Sequence, residues 1–419
     1  MKRERLFRVS VIVLSIFLVA KIGLAKKDDV KDLYEHIQLF SDAMTYVRSN
    51  YVDEMKDKDL VYGALKGMLA SLDPYSQFMD PESFKEIQIE TKGEFGALGI
   101  EISIKDGLLT IISPLEDTPA DKAGIKAGDR IVKIEDVTTK DITLIEAVKK
   151  LRGKPGSEVT ITILRESESK IFDVKVTRAI IKMDSIKEAS IIEDGIGYIR
   201  LVEFQQRTPQ DLRSSLKKLK ESGMESLILD LRNNPGGLLD VAVDVSDNFL
   251  KKDQTIVSTR GRHKEQEIVY RSRIDSDVSY PIVVMVNGGS ASASEIVAGA
   301  IQDNRRGIVL GTKSFGKASV QTVIPLKDSS ALRLTTAKYF TPSGRSIREE
   351  GIMPDVTVEY KEMPKTDEEE DRVEEVFEKV EKEKKEKKRE YDNQLLRAVD
   401  LLKGVSAFKR MENVQKIDE

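Results

Sequence analysis

The sequence predicts an α/β core preceded by a smaller strand-rich module and flanked at both ends by helical segments. Three observations predict it. Residues 185–360 alternate short apolar runs with amphipathic stretches, as strands and helices layered about one sheet require. Residues 92–180 carry glycine-punctuated runs with strand alternation. Residues 30–72 and 391–404 place apolar side chains three and four apart, the spacing of a helix face.

Taken in order, Leu33, Ile37, Phe40, Met44 and Val47 mark a first helix, and a second runs from Leu60 to Leu72, ended by Asp73-Pro74. Together they make an N-terminal helical region over 30–85. In the next region Gly93, Gly96 and Gly99 lead into a strand from Ile100 to Ile104, and Leu108 to Ser113 is a second strand. A short helix opens at Thr118-Pro119, Arg130 to Ile134 is a strand, and Leu144, Ala147, Val148 and Leu151 form a helix stripe before the alternating strand Val159 to Ile163. Within 185–360, strands are expected at Gly197–Phe204, Ser226–Asp230, Pro281–Val286, Gly307–Leu310 and Val320–Pro325. Helices are expected at Pro209–Ser222, Leu238–Leu250 and about Ala293–Gln302, with a hairpin over Thr255–Val269. Residues 361–390 are dominated by Glu, Lys and Asp and read as a solvated helix or linker. Leu395, Leu396, Val399 and Leu402 then form an amphipathic helix, expected to dock on the body or on a second copy in a homo-oligomer.

Composition excludes several classes of function. With 419 residues, 40% hydrophobic, the chain can build two or three cores. A net charge of −4 gives no nucleic-acid signal. The absence of cysteine removes disulfides, thiol catalysis and thiolate metal sites. Only His36 and His263 are available to a Ser–His–Asp triad, and neither lies in a motif, so serine chemistry here calls for another base. Residues 1–25 read as an export signal: basic residues Lys2, Arg3, Arg5 and Arg8, an apolar stretch from Val9 to Ala20, and small residues Gly23 and Ala25 at a cleavage site. Cleavage and retention as a membrane anchor both remain open; either puts the folded part outside the cytoplasm.

The segment Glu94-Phe95-Gly96-Ala97-Leu98-Gly99-Ile100 is a glycine-rich turn entering a strand, whose successive backbone N–H groups can hold a carboxylate. It resembles the carboxylate-binding loop of PDZ domains, and the run Ala123-Gly124-Ile125-Lys126-Ala127-Gly128-Asp129 extends the likeness. The resemblance implies that Leu98, Gly99 and Ile100 receive a peptide C-terminus, with Leu144 and Val148 walling an apolar pocket. The bland alternative is a small β-domain without a ligand.

Ser290-Ala291-Ser292-Ala293-Ser294-Glu295 follows a buried strand and opens a helix, where backbone N–H groups favour developing negative charge. Ser292-x-x-Glu295 also fits a capping box. Gly311 to Ala318 nearly matches a phosphate-binding P-loop, but Ala318 lacks the magnesium-binding hydroxyl and a strand-forming run follows instead of a helix. Lys317 fits better as a general base, since burial lowers an amine's pKa from near 10.4 toward neutrality. Gln321, four residues on, is placed to orient that amine. For Lys317 alone, a surface lysine is the ordinary reading.

Leu229 to Gly237, Ser290 to Ile296, Phe315-Gly316-Lys317, Gln321, Thr341 to Ile347 and Gly351 to Asp355 together resemble the carboxyl-terminal processing peptidases, the S41 serine peptidases that carry a PDZ domain. The resemblance covers about residues 35–360. It implies a crotonase/ClpP-like core and a Ser–Lys dyad made of Ser292 and of Lys317, 25 residues later. Gln321 is implied as support, and oxyanion donors at Ala293 and at Gly236 or Gly237. It implies a serine endopeptidase acting on exported proteins with flexible C-termini, gated by the PDZ module, without metal or cofactor. The expected division is therefore 92–180 for the PDZ domain, 185–360 for the catalytic domain and 361–419 for the linker and last helix. The competing reading is an inactive PDZ scaffold; an acyl-CoA hydratase on the related fold would leave the PDZ-like module unexplained.

Overall fold

The computed structural model describes residues 32–361 and 392–415, apart from 106, 116, 277, 278 and 349. The expected export signal and nearly all of the charged segment lie outside the described residues. The N-terminal region holds α1 (32–50), α2 (Asp57–Ala70), β1 (Gln77–Met79) and α3 (Pro81–Lys92). The stripe of α1 is solvent-facing: Leu33, Ile37, Phe40 and Val47 are all exposed. Asp80 caps α3 by accepting the Ser83 N–H at 2.9 Å, and Gly93 ends it in the left-handed conformation at φ 68°.

The strand-rich module comprises β2 (Glu94–Ala97), β3 (Ile100–Lys105), β4 (Leu108–Pro114), α4 (Pro119–Lys122), β5 (Arg130–Ile134), β6 (Val137–Thr138), α5 (Leu144–Leu151), β7 (Glu158–Arg165), β8 (Lys170–Thr177) and β9 (Ala179–Lys182). Its main sheet runs β3-β4-β5-β7-β8, with β6 beside β5, so β3 is an edge strand. Inward residues of β7, Val159, Ile161 and Ile163, alternate with outward ones and pack on Leu109, Ile111, Ile131 and Ala147. Asp129 and Arg165, both buried, pair at 2.8 Å and fasten the turn before β5 to the end of β7. Sequence patterning did not show this pair.

The larger unit comprises β10 (Ile186–Glu193), β11 (Ile196–Leu201), α6 (Thr208–Glu221), β12 (Ser226–Asp230), α7 (Leu239–Ser246), β13 (Thr255–Gly261), β14 (Ile268–Arg271), β15 (Ile282–Val286), α8 (Ala293–Asp303), β16 (Ile308–Gly311), β17 (Ser319–Pro325), β18 (Ala331–Phe340), β19 (Val356–Thr357) and α9 (Asn393–Gln415). One sheet runs β10-β11-β12-β15-β16-β19, parallel from β11 onward. Every residue of β12 and β15 is buried because both faces are covered. Leu227, Leu229, Val284 and Val286 pack toward α6, α7 and α8, while Ile228, Val283 and Met285 pack toward α9.

A second sheet runs β1-β18-β13-β14, with β17 also on β18. The N-terminal region thus adds a strand to the edge of β18, pairing Gln77 with Arg333. The long β18 was not foreseen: charged and polar residues interrupt its pattern, and pairing with β1, β13 and β17 decides it. In α9, Leu395, Ala398, Val399 and Leu402 are buried, whereas Leu396 is exposed. That corrects the expected stripe: 395, 399 and 402 share a face, and 396 sits about 100° around the helix.

Candidate active site

The parallel sheet ends in two loops that lock together. At the end of β12, Asn234 O accepts the Ala291 N–H at 3.0 Å and the Ser294 hydroxyl at 2.9 Å. At the end of β15, the Ser290 hydroxyl donates to Leu231 O at 2.8 Å. Ser290 and Ser294 are fully buried, so the outer serines of the run join the loops. Ser292 is partly exposed and its hydroxyl does not cap α8. Its φ of 55° puts a non-glycine residue in the left-handed region, a strained turn. Only the carboxylate half of the capping box forms: Glu295 Oε2 accepts the Ser292 N–H at 2.8 Å. The middle serine is thus the one left available to another group.

Glu295 is fully buried and accepts four hydrogen bonds. Besides Ser292, it takes the Ser314 hydroxyl at 2.6 Å, the Gly316 N–H at 2.7 Å and the Lys317 N–H at 2.9 Å. Ser292 and Lys317 share Oε2, so their backbone nitrogens lie no further apart than two hydrogen-bond lengths. Burial pushes the Glu295 carboxyl above the usual range, against the pull of its four donors.

Lys317 lies in the loop before β17 and is half-buried. Its Nζ sits over the Tyr75 ring, 4.9 Å from the centroid, in a cation–π contact. Burial lowers its pKa, the like charge of Arg333 lowers it further, and Glu295 opposes them. The ammonium makes no hydrogen bond to Ser292 in this arrangement. Nor does Gln321 reach it, because Gln321 Nε2 donates to Ser319 Oγ at 2.7 Å. The expected Gln321–Lys317 contact is not made here: Lys317 precedes the strand, and the register of β17 shifts between Val320 and Gln321.

The glycine turn meets the serine turn closely. A Cβ on Gly236, whose φ is 107°, would stand 2.8 Å from Ser292 Cβ and 2.9 Å from Ala293 N. The Gly236 N–H donates to Asn234 Oδ1 at 2.9 Å and is therefore occupied. Among the described residues no hydrogen bond takes the N–H of Gly237 or of Ala293. Of the two glycines, Gly237 is the one whose N–H no described group takes.

Behind this turn, Arg232 is buried among three partners. It bonds Asp230 at 2.7 Å, Asp392 at 2.7 Å and Gln394 at 3.0 Å. Asp392 also accepts the Leu395 N–H at 3.0 Å, in the first turn of α9. The last helix is therefore tied to the loop that carries Gly236 and Gly237.

In the strand-rich module, the open edge of β3 runs beside α5. Gly99, at φ 80°, carries the chain into that edge, and its carbonyl is held by the Leu115 N–H at 2.9 Å. No hydrogen bond among the described residues takes the N–H of Leu98 or Gly99. Leu98 is 1% exposed as a whole residue and its side chain belongs to the core. Leu144 is exposed, Val148 and Ile100 partly so.

Residues 195–358 match Peptidase family S41, 96–176 match a PDZ domain, and 19–83 match the activating protease CtpB N-terminal domain. Over 364 residues the chain is 46% identical to a carboxy-terminal-processing protease of Bartonella bacilliformis, covering 86% of this chain and 83% of that one. The chain belongs to the carboxy-terminal processing proteases of family S41. This S41 protease is also 34% identical over 352 residues to carboxy-terminal processing protease CtpA of Bacillus subtilis, covering 83% and 73% of the two chains. Among solved structures it is similar to a photosystem II D1 C-terminal processing protease, with 29% identity, a TM-score of 0.45, and coverage of 77% and 92%. The protease is a serine-type peptidase with a PDZ domain for peptide substrates.

Sequence reasoning missed several residues of the protease's candidate site. Tyr75 follows an Asp-Pro read only as a helix stop, and nothing local marks it as a seat for a lysine. Arg333 and Asp392 are distant in sequence and reach the site through the pairing of β1 with β18 and the docking of α9. Glu295 did carry a signal, the capping-box spacing, but its hold on Lys317 did not show.

Proposed function

We propose that the protein is an exported endopeptidase in which Ser292 is the nucleophile and Lys317 the general base. The observation that carries this reading is the shared Glu295 oxygen, which binds the backbones of both residues beside an uncapped Ser292 hydroxyl. In the reaction, Lys317 leaves the Tyr75 ring, and its uncharged amine takes the proton of Ser292 as Oγ attacks the peptide carbonyl. The oxyanion lies between the N–H groups of Ala293 and Gly237, fixed donors that need no reorganisation. The resulting ammonium gives its proton to the leaving amine, and water releases the acyl group. Gln321 would support Lys317 after exchanging its Ser319 contact.

Residues 92–180 serve as the substrate receptor and 185–360 as the catalytic domain. A substrate C-terminus adds to the β3 edge, its carboxylate on the N–H groups of Leu98 and Gly99 and its last side chain between Ile100, Leu144 and Val148. The N-terminus serves export or anchoring, and the apolar face of α1 makes self-association a further expectation. Among the described residues no helix is long and apolar enough to cross a membrane.

A fluorophosphonate probe and a casein digest test the catalytic reading. Wild-type protein should label and digest, whereas Ser292→Ala and Lys317→Met should do neither. Labelling that persists in Ser292→Ala would overturn the assignment. A C-terminal peptide that binds Ser292→Ala as well as its amidated form would remove the carboxylate site.

A further inference from the structure

A buried hydroxyl stands beside Ser292 without a partner. Tyr339 lies on β18 and is 1% exposed. Its N–H donates to Ala318 O at 3.0 Å, which seats it next to the loop that carries Lys317. It belongs to the same core cluster as Ala293, Ile296 and Ala318. Its hydroxyl faces the Ser292 side chain and lies in the field of Glu295, yet makes no hydrogen bond of ordinary length and angle. An unpartnered hydroxyl in a core costs free energy, and phenylalanine fills nearly the same volume without that cost. Such a group is accounted for if its partner aligns only in another state of the site. The state already required is the one in which Lys317 leaves Tyr75 and the Ser292 hydroxyl turns to meet it.

We propose that Tyr339 is a third side chain of the reaction centre, its hydroxyl donating a hydrogen bond to Ser292 Oγ once Lys317 engages the serine. The inference rests on Ser292 being the nucleophile. As the serine proton passes to Lys317 Nζ, an Oγ electron pair forms the bond to the carbonyl carbon, and the carbonyl π pair moves onto its oxygen. Tyr339 keeps its proton throughout. Burial and the Glu295 charge push the phenol well above its ordinary value, so it remains a donor while Oγ gains negative character. The bond is stronger in the transition state than in the ground state, so its loss falls on kcat and leaves KM alone.

Tyr339→Phe tests the proposal, with hydrolysis of a fluorogenic peptide and thermal unfolding measured on the same preparations. The expected kcat falls about tenfold, the ordinary net contribution of one hydrogen bond, with KM unchanged. The Tm should stay equal or rise, since an unpartnered polar group has been removed. A merely structural tyrosine would lower Tm and activity together. Unchanged kcat, or a fall in kcat that tracks a fall in Tm, overturns the proposal. Ser292→Ala, assayed alongside, separates the two claims. If it retains turnover, the nucleophile assignment fails and this inference with it. If it is inert while Tyr339→Phe is fully active, this inference alone fails.

Discussion

The ammonium of Lys317 rests over the ring of Tyr75, 4.9 Å from its centroid, in a half-buried seat that already disfavours its charge. Burial is the main cause of its lowered pKa, and Arg333 is the second. A base must be neutral to accept a proton, so activity should rise with pH through the Lys317 pKa and then level off. Replacing Arg333 by Gln removes a like charge, which favours the ammonium and raises that pKa. The acidic limb of the kcat/KM profile should therefore move to higher pH in Arg333→Gln. A limb that stays in place or moves lower would show that Lys317 does not set it.

Glu295 joins the two halves of the site by accepting from four donors. In Glu295→Gln one oxygen becomes an NH₂ group facing N–H donors. The variant should lose about 2 kcal/mol of stability in urea, as buried donors are left unsatisfied. Peptide hydrolysis should fall more steeply than stability, because the Ser292 and Lys317 backbones lose their common anchor. Full activity in a folded Glu295→Gln protein would contradict that role.

Arg232 and Asp392 are 160 residues apart in sequence and 2.7 Å apart in the fold. Burial pushes the Asp392 carboxyl up, but Arg232 pulls it further down, so it titrates below the ordinary carboxylate. A carboxyl depressed by folding contributes stability that is fully present above its unfolded pKa of about 4 and lost as pH falls through the folded value. Asp392→Asn should therefore cost about 2 kcal/mol at neutral pH. That difference should shrink once the pH drops below about 4. Unfolding curves of both proteins at several pH values check this, and a pH-independent gap would speak against the ion pair.

Gly99 enters the β3 edge at φ 80°, and a Cβ there would collide with the Thr118 side chain. Gly99→Ala should cost on the order of 1–3 kcal/mol of stability through strain. It should also displace the N–H groups of Leu98 and Gly99, the donors proposed for the peptide carboxylate. Calorimetry with a C-terminal peptide should show binding lost in Gly99→Ala while fluorophosphonate labelling of Ser292 persists. Unaltered peptide affinity would remove this loop from recognition.

Much of the fold was legible because burial writes itself into periodicity. The all-apolar runs of β12 and β15 mark strands covered on both faces, and the alternation of β7 marks one covered face. β18 was missed because its run Arg333-Leu334-Thr335-Thr336 has no clean period, and pairing on both edges holds it in place. At the site, Ser292 and Lys317 stood out through small-residue runs and glycines. The Gln321 contact did not follow from four-residue spacing, since spacing ignores a register shift.

By itself, the amino-acid sequence determined the order of most elements, the serine and lysine loops at the sheet's end, and the lack of a cysteine or of a histidine in any motif. These are local facts, carried by periodicity, turn residues and composition. Only the tertiary structure decided that one buried carboxylate holds both loops, that Tyr75 and Arg333 surround the amine, and that Asp392 braces the glycine turn. Each of these joins distant segments, and a hydrogen bond or a Coulomb interaction depends on distance in space, which the chain acquires only on folding.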